Sequence, residues 1–340
     1  LGAYGATQAL LQIPLGRLSD RVGRKPVIAG GLAVFALGSV IAALSDSIWG
    51  IVVGRALQGS GAIAAAVLAL AADLTPPGKR QRVMASIGIS VALAFLLAIS
   101  SGPAIAARFG LSGLFWLTAI LAVAAASCLV WLPSVPARPG SRPGISPGSL
   151  ARVLRHPDLW RLNLAIASMN FALTCFFLII PVRLVDGLGM PLAVHWQLYL
   201  PVLLLTIPVL GVAIRLGEQR QSARSGVALP LLAVISALAI ITLAGDSGWT
   251  LAPALWLFFS GFNLLEANLP AFTSRYALTD LRGAALCAFA TCQFGGAFLG
   301  GVIGGTLLER AGATPALALS AGLLALALMA AGQLGLMPDR

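Results

Sequence analysis

Charged residues are scarce in this chain of 340 residues. Only 10% of the sequence is Asp, Glu, Lys or Arg, whereas 59% is hydrophobic and the mean hydropathy is +0.94. Soluble domains carry about 25% charged residues, so this chain could not cover a surface that faces water. The scarcity excludes a soluble protein of one or two domains and predicts a chain that crosses a membrane several times.

Cysteine and histidine are also rare, with four and two residues. All the cysteines lie inside apolar stretches: Cys128, Cys175, Cys287 and Cys292. We therefore expect neither disulfides nor a zinc site. No phosphate-binding Gly-x-x-x-x-Gly-Lys-Ser/Thr loop is present, nor a His-Glu-x-x-His or Gly-x-Ser-x-Gly motif. The sequence thus predicts no direct use of ATP, no cofactor or metal, and no enzymatic activity.

Long apolar runs fill most of the chain. A bilayer core of about 30 Å needs about 20 apolar residues per helix. Eleven such runs lie near 1–16, 27–45, 48–71, 83–107, 111–132, 161–185, 194–214, 227–245, 249–272, 284–308 and 314–335. They lack the alternation of polar and apolar residues that marks barrel strands, so they predict an all-α membrane protein.

The basic residues lie almost entirely in alternate connections between these runs. Of the 22 Lys and Arg residues, 18 fall on one side, and only Arg108, Arg183 and Arg310 fall on the other. The positive-inside rule therefore makes the first side cytoplasmic. The net charge of +11 is explained by membrane orientation, and we expect a multi-pass protein of the inner (cell) membrane that does not bind nucleic acid.

The longest connection, 133–160, is rich in Pro, Gly, Ser and Arg. Such a composition is typical of a linker, and the charge pattern makes this linker and the C-terminus cytoplasmic. It would separate an N-terminal bundle at 1–132 from a C-terminal bundle at 161–340. Within it, the stretch from Ser149 to His156 is a candidate surface helix.

The two halves of the chain repeat each other. Gly102, Arg108 and Gly110 recur as Gly304, Arg310 and Gly312, in each case 202 residues later. The run at 161–185 has no counterpart, because its equivalent would precede residue 1. We therefore expect a first helix ahead of Leu1 in the intact protein, so that this chain holds helices two to twelve.

A charged turn follows the first run, with the sequence Gly-Arg-Leu-Ser-Asp-Arg-Val-Gly-Arg-Lys-Pro from Gly16 to Pro26. Asp20 can accept hydrogen bonds from an exposed helix N-terminus, and Arg24 can pair with a carboxylate at the depth of Asp73. The residues of this candidate latch are Gly16, Asp20, Arg21, Gly23, Arg24, Lys25 and Asp73. The simpler interpretation is a basic cytoplasmic loop without a further role.

This charged turn resembles the signature loop between helices two and three of the major facilitator superfamily. The segment Gly54–Ala62 resembles the helix-four motif of that family, and Ser101-Gly102-Pro103 resembles part of its helix-five motif, which is associated with antiporters. The segments from Leu44 to Ala65 and from Gly261 to Gly305 are most similar to the YajR-like branch of drug:proton antiporters.

The resemblance implies a major facilitator fold, in which two pseudo-symmetric bundles surround a cavity that opens to each side in turn. Eleven of its twelve transmembrane helices would be present here. The resemblance also implies that Asp20, Arg24 and Asp73 form a cytoplasmic latch in the outward-facing state. The chain departs from the helix-five motif at Ala106 and Ala107, where the family has paired glycines.

Arg55 is the one basic residue well inside a run. A cation at the centre of a bilayer costs about 2.5–3.5 kcal/mol on insertion scales, and Gln58 lies on the same helical face one turn away. Two interpretations remain open. Arg55 is either a cavity cation that binds an anionic group or couples to a carboxylate, or a structural residue that binds carbonyl groups of a neighbouring helix.

Glu266 is the only acidic residue well inside a run, and Asn263 lies on the same face. Burial away from water disfavours the charged form of a carboxylate, so that such a group can take up and release a proton near neutral pH. Glu266 is therefore the candidate for proton coupling. The alternative is a structural carboxylate near the cytoplasmic gate.

Two stripes of polar residues are candidates for lining a cavity. They consist of Tyr4, Gln8 and Gln12 in the first run and of Asn163, Asn170 and Thr174 in the sixth. Gln58 and Asn263 are further candidates for lining the cavity. The alternative is hydrogen bonding between helices, worth about 0.6 kcal/mol per bond on average. His195, at an outer helix start, is expected to be solvated.

These observations predict a secondary transporter that exports a small amphipathic or hydrophobic solute in exchange for protons. Its expected partners are membrane lipid, the solute and the proton, and we expect a monomer. Two alternatives remain. One is an uptake symporter or facilitator with the same fold, and the other is a membrane sensor that binds a ligand without transporting it.

Overall fold

The computed structural model describes residues 2–61, 63–76, 79–133, 147–220, 223–243, 247–278 and 281–335. Throughout these residues the regular elements are helices, without strands. The chain divides into two compact units, Ala3–Ser146 (unit 1) and Pro147–Arg340 (unit 2). The boundary falls inside the connection predicted as a linker.

Unit 1 is built from five helical segments. They are α1 (Gly2–Val22), α2 (Arg24–Ala43), α3 (Ile48–Ser60), α4 (Ala64–Leu74) and α5 (Arg80–Trp131). The predicted run 48–71 is thus interrupted after Ser60. The runs 83–107 and 111–132 are both part of α5, which bends at Gly110, where the backbone is not helical (φ 68°, ψ −174°).

Unit 2 begins with a short helix, and seven further helices follow it. They are α6 (Pro147–Arg155), α7 (Pro157–Asp186), α8 (Trp196–Arg220), α9 (Ala223–Leu243), α10 (Gly248–Tyr276), α11 (Arg282–Leu299), α12 (Gly305–Ala311) and α13 (Ala313–Ala331). A π-helical segment, Gly300–Gly304, joins α11 to α12. Because α6 and the start of α7 occupy 147–160, that part of the predicted linker is helical, while residues 134–146 lie outside the described chain.

Eight helical stretches in the described residues are long and apolar enough to span a membrane. The sequence predicts eleven apolar runs, and three features of the structure explain why fewer spans are found. Tyr4, Gln8, Gln12 and Arg17 lower the hydropathy of α1, and the break after Ser60 leaves α3 and α4 with 13 and 11 residues. The bent α5 contributes a single span, Leu93–Trp131.

Glycines at equivalent positions give the two units the same bend. Gly110 has φ 68° and ψ −174°, and Gly312, which lies 202 residues later in the sequence, has φ 84° and ψ −173°. This backbone conformation is essentially restricted to glycine. The repeat seen in the sequence therefore corresponds to a repeated turn between the last two membrane helices of each unit.

A close helix crossing is repeated as well. In unit 1 a side chain on Gly61 would collide with the carbonyl oxygen of Gly31, and in unit 2 one on Gly261 would lie 2.6 Å from the carbonyl oxygen of Pro230. Because neither glycine has a Cβ, the two backbones can approach closely. These contacts join α2 to the end of α3 in unit 1, and α9 to α10 in unit 2.

A third repeated feature fastens the last helix of each unit. Lys25 Nζ donates to the carbonyl oxygen of Leu132 at 2.6 Å, and Arg224 Nε donates to that of Leu334 at 2.6 Å. Each acceptor lies just beyond the C-terminus of a helix, where carbonyl groups lack partners within the helix. A basic residue near the start of α2 in unit 1 and of α9 in unit 2 therefore holds the chain that follows the last helix of its unit.

Aromatic packing forms the core of unit 2. Phe176 on α7 stacks on Phe258 of α10 with the ring centroids 4.0 Å apart, and it meets Phe259 edge-on at 5.5 Å. All three side chains are fully buried. These contacts hold α7, which carries Asn170, against α10, which carries Glu266.

Replacing Gly312 with Ala is expected to destabilise the protein by about 1–3 kcal/mol, because alanine does not adopt the φ and ψ of this turn without strain. The measurement is the thermal unfolding midpoint of the purified protein in detergent. Gly322→Ala on α13 is the matched control, since no atom lies within 4 Å of its added Cβ and alanine favours a helix. Equal midpoints for the two variants would contradict the assignment of strain to Gly312.

Candidate functional site

Arg55 lies in a polar cluster inside unit 1. Its guanidinium carbon sits 4.6 Å from the centroid of the Tyr4 ring, and its Nη1 donates to Gln58 Oε1 at 2.8 Å. A cation over an aromatic face is attracted by about 0.5–2 kcal/mol. The structure thus brings together three of the residues predicted to line a cavity, from α1 and α3.

Gln58 is itself held by neighbouring helices. It is buried, and its Nε2 donates to Ser39 Oγ on α2 at 2.7 Å. Thr118 Oγ1 on α5 lies 3.2 Å from the same hydroxyl oxygen. Ser39 and Thr118 were not identified from the sequence, because a single hydroxyl residue in an apolar helix has no periodic partner. The result is a hydrogen-bonded path from Arg55 through α3 to α2 and α5.

Gln8 and Gln12 lie on α1, the same helix as Tyr4. They are 6% and 3% exposed, and the Oε1 atom of each is buried without a hydrogen-bond partner in the described structure. A buried polar atom left without a partner costs about 1–3 kcal/mol. The two glutamines therefore offer acceptor groups that unit 1 itself does not use.

The charge of Arg55 has no carboxylate partner in the described part of the chain. A partly buried cation needs compensation by hydrogen bonds or by an anion. Gln58 and the Tyr4 ring supply neutral compensation only. Arg55 can therefore still accept an anionic group.

Glu266 lies in a second polar cluster, in unit 2. Gln293 Nε2 on α11 donates to both carboxylate oxygens of Glu266, at 3.0 and 3.2 Å. Asn170 on α7 also interacts with this carboxylate through its side chain. Gln293 was missed in the sequence because it is an isolated amide in a run dominated by Ala and Gly.

The other polar residues predicted in unit 2 have different partners in the described structure. Asn263 Nδ2 donates to Thr206 Oγ1 on α8 at 3.0 Å, and Thr174 Oγ1 donates to the Asn170 carbonyl at 2.9 Å. Asn163 is 5% exposed, and its Oδ1 is buried without a partner in the described structure. Of the predicted stripe, Asn170 alone interacts with the carboxylate in the described structure, and its Nδ2 donates to the carbonyl oxygen of Ile166 at 3.2 Å.

The charged turn after α1 forms a compact network inside unit 1. Arg24 Nε lies 3.4 Å from Asp73 Oδ2, and Arg24 Nη1 donates to Ser19 Oγ at 2.7 Å. Ser19 Oγ in turn donates to the carbonyl oxygen of Gly16 at 2.8 Å. Gly23 separates α1 from α2 with φ 106°, a value that favours glycine.

In the described structure, the remaining residues of the candidate latch do not join the network of Arg24, Asp73 and Ser19. Arg21 is exposed at the end of α1, and Lys25 binds the carbonyl of Leu132 as described above. Asp20 belongs to α1, but its side chain lies outside the described part. A role of Asp20 in fastening the two bundles stays a prediction.

The helix-five motif lies within the bent helix α5. Pro103 is in the helix interior, and no atom lies within 4 Å of a Cβ built on Gly102. Gly102 is therefore not required for close packing inside unit 1. The surface beside it is open in this unit.

The expectation that His195 is solvated was wrong. Its side chain is 0% exposed, and its Nε2 lies 3.0 Å from the carbonyl oxygen of Met190. The reason is local: the chain between α7 and α8 turns back over the start of α8 and covers the imidazole. Sequence position at a helix start did not reveal this turn.

The ion pair between Arg24 and Asp73 is expected to contribute about 0.2–1 kcal/mol, because both side chains are partly exposed. A double-mutant cycle with Arg24→Gln and Asp73→Asn, followed by thermal unfolding, measures this coupling. Asp46→Asn, in an exposed loop of the same unit, is the control and should show no coupling to Arg24→Gln. Additive effects of Arg24→Gln and Asp73→Asn would show that the contact does not stabilise the turn.

Comparison with known proteins identifies the family of this chain. The model of the Major Facilitator Superfamily matches residues 1–301. The chain is 43% identical to the inner membrane transport protein YajR of Escherichia coli K12 over 307 residues, which cover 90% of this chain and 67% of that protein. Over a shorter stretch of 123 residues, 36% of this chain and 32% of the relative, it is 33% identical to the multidrug resistance protein MdtL of Shigella dysenteriae.

The fold is similar to that of the human organic anion transporter MFSD10 (TETRAN). The TM-score is 0.73, with 97% of this chain and 82% of that one covered, at 21% sequence identity. This likeness concerns the fold alone. The prediction of a helical membrane protein with the major facilitator fold is confirmed, and the chain belongs to the major facilitator superfamily of transporters.

Proposed function

We propose that this protein is a secondary active transporter that exports a small amphipathic or hydrophobic solute in exchange for protons. The family supports transport across the inner membrane. The name of the relative MdtL, a multidrug resistance protein, supports export of small molecules. The observation that carries proton coupling is the environment of Glu266.

Glu266 is surrounded by amide groups rather than by cations. Its carboxylate accepts hydrogen bonds from Gln293 and interacts with Asn170, and no Lys or Arg in the described residues forms an ion pair with it. A nearby cation would hold a carboxylate in its charged form. Amides can bind either form, because an amide carbonyl can accept a hydrogen bond from a protonated carboxyl group.

In this proposal the proton acts by changing the balance between outward-facing and inward-facing states. A ligand shifts such a balance only if it binds the two states with different affinity. Glu266 would be protonated in one state and would release its proton in the other. Its helix, α10, packs on α7 through the phenylalanine core, so that a change at the carboxylate reaches the aromatic packing of unit 2.

Unit 1 would contribute the cavity cation. Arg55, with Tyr4 and Gln58, would face the solute, and the unpartnered oxygens of Gln8 and Gln12 would accept hydrogen bonds from it. In unit 2, Asn163, Asn170, Thr174 and Asn263 are proposed as further cavity-lining residues. The apolar character of the rest of both units fits a solute that is itself largely apolar.

The charged turn would serve as the cytoplasmic latch of the transport cycle. Arg24 and Asp73 form an ion pair within unit 1, which would stiffen the turn whose sequence contains Asp20. The latch residues are proposed to be Gly16, Asp20, Arg21, Gly23, Arg24, Lys25 and Asp73, and Gly102 and Pro103 would shape the open side of α5. The proposed orientation has the 133–160 connection and the C-terminus in the cytoplasm, and the protein acts as a monomer.

Glu266→Gln is expected to abolish transport driven by a proton gradient, because an amide cannot take up the proton. Flux of a fluorescent amphipathic solute is measured in proteoliposomes with and without an imposed pH difference. The matched control is Glu309→Gln, which removes an exposed glutamate of the same unit and should keep gradient-driven flux. Full coupling in Glu266→Gln would remove this residue from the mechanism.

Solute flux in the same vesicles distinguishes export from uptake and from a sensor that does not transport. Exchange with protons predicts that the solute moves in the direction opposite to the proton flow. Reversing the imposed pH difference should therefore reverse the direction of solute flux. An uptake symporter would move the solute with the protons. Solute binding without flux in either gradient would favour a sensor.

A further inference from the structure

The guanidinium of Arg55 has more hydrogen-bond donors than unit 1 uses. A guanidinium carries several N–H donors in a planar fork and keeps its positive charge in proteins. In the described residues Arg55 donates one hydrogen bond, to Gln58 Oε1 at 2.8 Å, and its other close contact is with the face of the Tyr4 ring. Its side chain is half-buried. The remaining donors match a carboxylate, which can accept paired hydrogen bonds from such a fork.

A close crossing of α1 and α3 fixes the surroundings of Arg55. Thr7 Oγ1 lies 2.8 Å from the carbonyl oxygen of Ala56, and a side chain on Gly59 would collide with the carbonyl oxygen of Tyr4. A shift of α1 along α3 would break these contacts. The cation and the aromatic ring are therefore held in one arrangement, and a preorganised site of this kind loses little freedom when a ligand binds.

Two glutamines continue the polar face of α1 beyond Tyr4. Gln8 and Gln12 follow Tyr4 at intervals of four residues, so they lie about 6 and 12 Å farther along the helix axis on the same side. Both side chains are more than nine-tenths buried, and the Oε1 atom of each has no hydrogen-bond partner in the described part of the chain. Because these oxygens are shielded from water, a group that satisfies them must enter the bundle and must carry a donor.

The acidic residue that lies well inside an apolar run is already bound by amides. Glu266 accepts hydrogen bonds from Gln293 at 3.0 and 3.2 Å and interacts with Asn170. The contacts of Arg55 in the described residues are with neutral groups only. A half-buried cation gains from an anionic partner, and in this site the partner is a molecule that enters from outside the chain.

We propose that the solute is an amphipathic organic anion, whose carboxylate binds Arg55 and whose hydroxyl or N–H group donates to Gln8 or Gln12. This inference rests on the proposed function and narrows its solute to one chemical class. The carboxylate and the donor are separated by about 6–12 Å, the spacing of the two glutamines from Tyr4 along α1. An organic cation of similar size is rejected, because its charge would face that of Arg55.

The test measures binding of radiolabelled cholate to the purified full chain by scintillation proximity, without any proton gradient. Cholate combines a carboxylate, an apolar ring system and hydroxyl donors. Its methyl ester lacks the negative charge and should compete about ten- to hundredfold more weakly than unlabelled cholate, as expected for a lost hydrogen bond to a charged group. Dehydrocholate keeps the carboxylate but has ketones in place of the hydroxyls, and it should compete about two- to tenfold more weakly for each lost neutral hydrogen bond.

Variants assign each part of the ligand to its residue. Arg55→Gln should weaken cholate binding about ten- to hundredfold and should abolish the difference between cholate and its methyl ester. Arg55→Lys keeps the charge and should restore part of that difference. Gln8→Leu/Gln12→Leu should abolish the difference between cholate and dehydrocholate while the preference for the charged form persists.

The matched control is Arg108→Gln, which removes an exposed arginine of the same unit and should bind cholate like the unaltered protein. Thermal unfolding of every variant identifies loss of fold separately. No saturable cholate binding, equal competition by all three compounds, or an unchanged preference for cholate over its methyl ester in Arg55→Gln would each overturn the assignment of the solute class. Because binding is measured without a gradient, loss of proton-driven flux alone would count against the proposed exchange and leave this assignment in place.

Discussion

Polar groups inside a bilayer have no water to bind, and this constraint governs both units. Every polar side chain within a membrane helix must find a partner in a neighbouring helix, in a cavity or in a ligand. Arg55 meets Tyr4, and Gln58 connects it to Ser39 on α2. In unit 2 Gln293 meets Glu266 in the same way. The scarce polar residues therefore occur in clusters, and the clusters carry the proposed chemistry.

The same constraint explains why the two units are built alike. Helices that cannot rely on the hydrophobic effect for association must approach closely, and glycine permits this. Gly61 and Gly261 allow the equivalent helix crossings, while Gly110 and Gly312 allow the equivalent turns. The basic residues that tie down Leu132 and Leu334 complete the correspondence. These features support descent of both units from one repeated bundle.

Two residues of opposite charge distinguish the units. Unit 1 holds a cation with neutral neighbours, and unit 2 holds a carboxylate with neutral neighbours. Neither is neutralised by an ion pair within the described part of its own unit. A charged side chain without an ion-pair partner costs free energy inside a membrane protein. The presence of Arg55 and Glu266 despite this cost makes them the strongest candidates for contact with the solute and the proton.

Composition, apolar runs and basic connections by themselves determined that this is a helical membrane protein, because the bilayer imposes length and charge rules that can be read from the sequence. The offset of 202 residues likewise predicted that the two halves repeat each other, and the glycine turns at Gly110 and Gly312 occur at this offset. The partners of individual polar residues were decided only by the tertiary structure. Gln293, Ser39 and the buried His195 are single polar residues that do not belong to a periodic pattern in the sequence. Which neighbouring helix such a side chain contacts depends on how the helices cross. No local sequence pattern encodes that crossing.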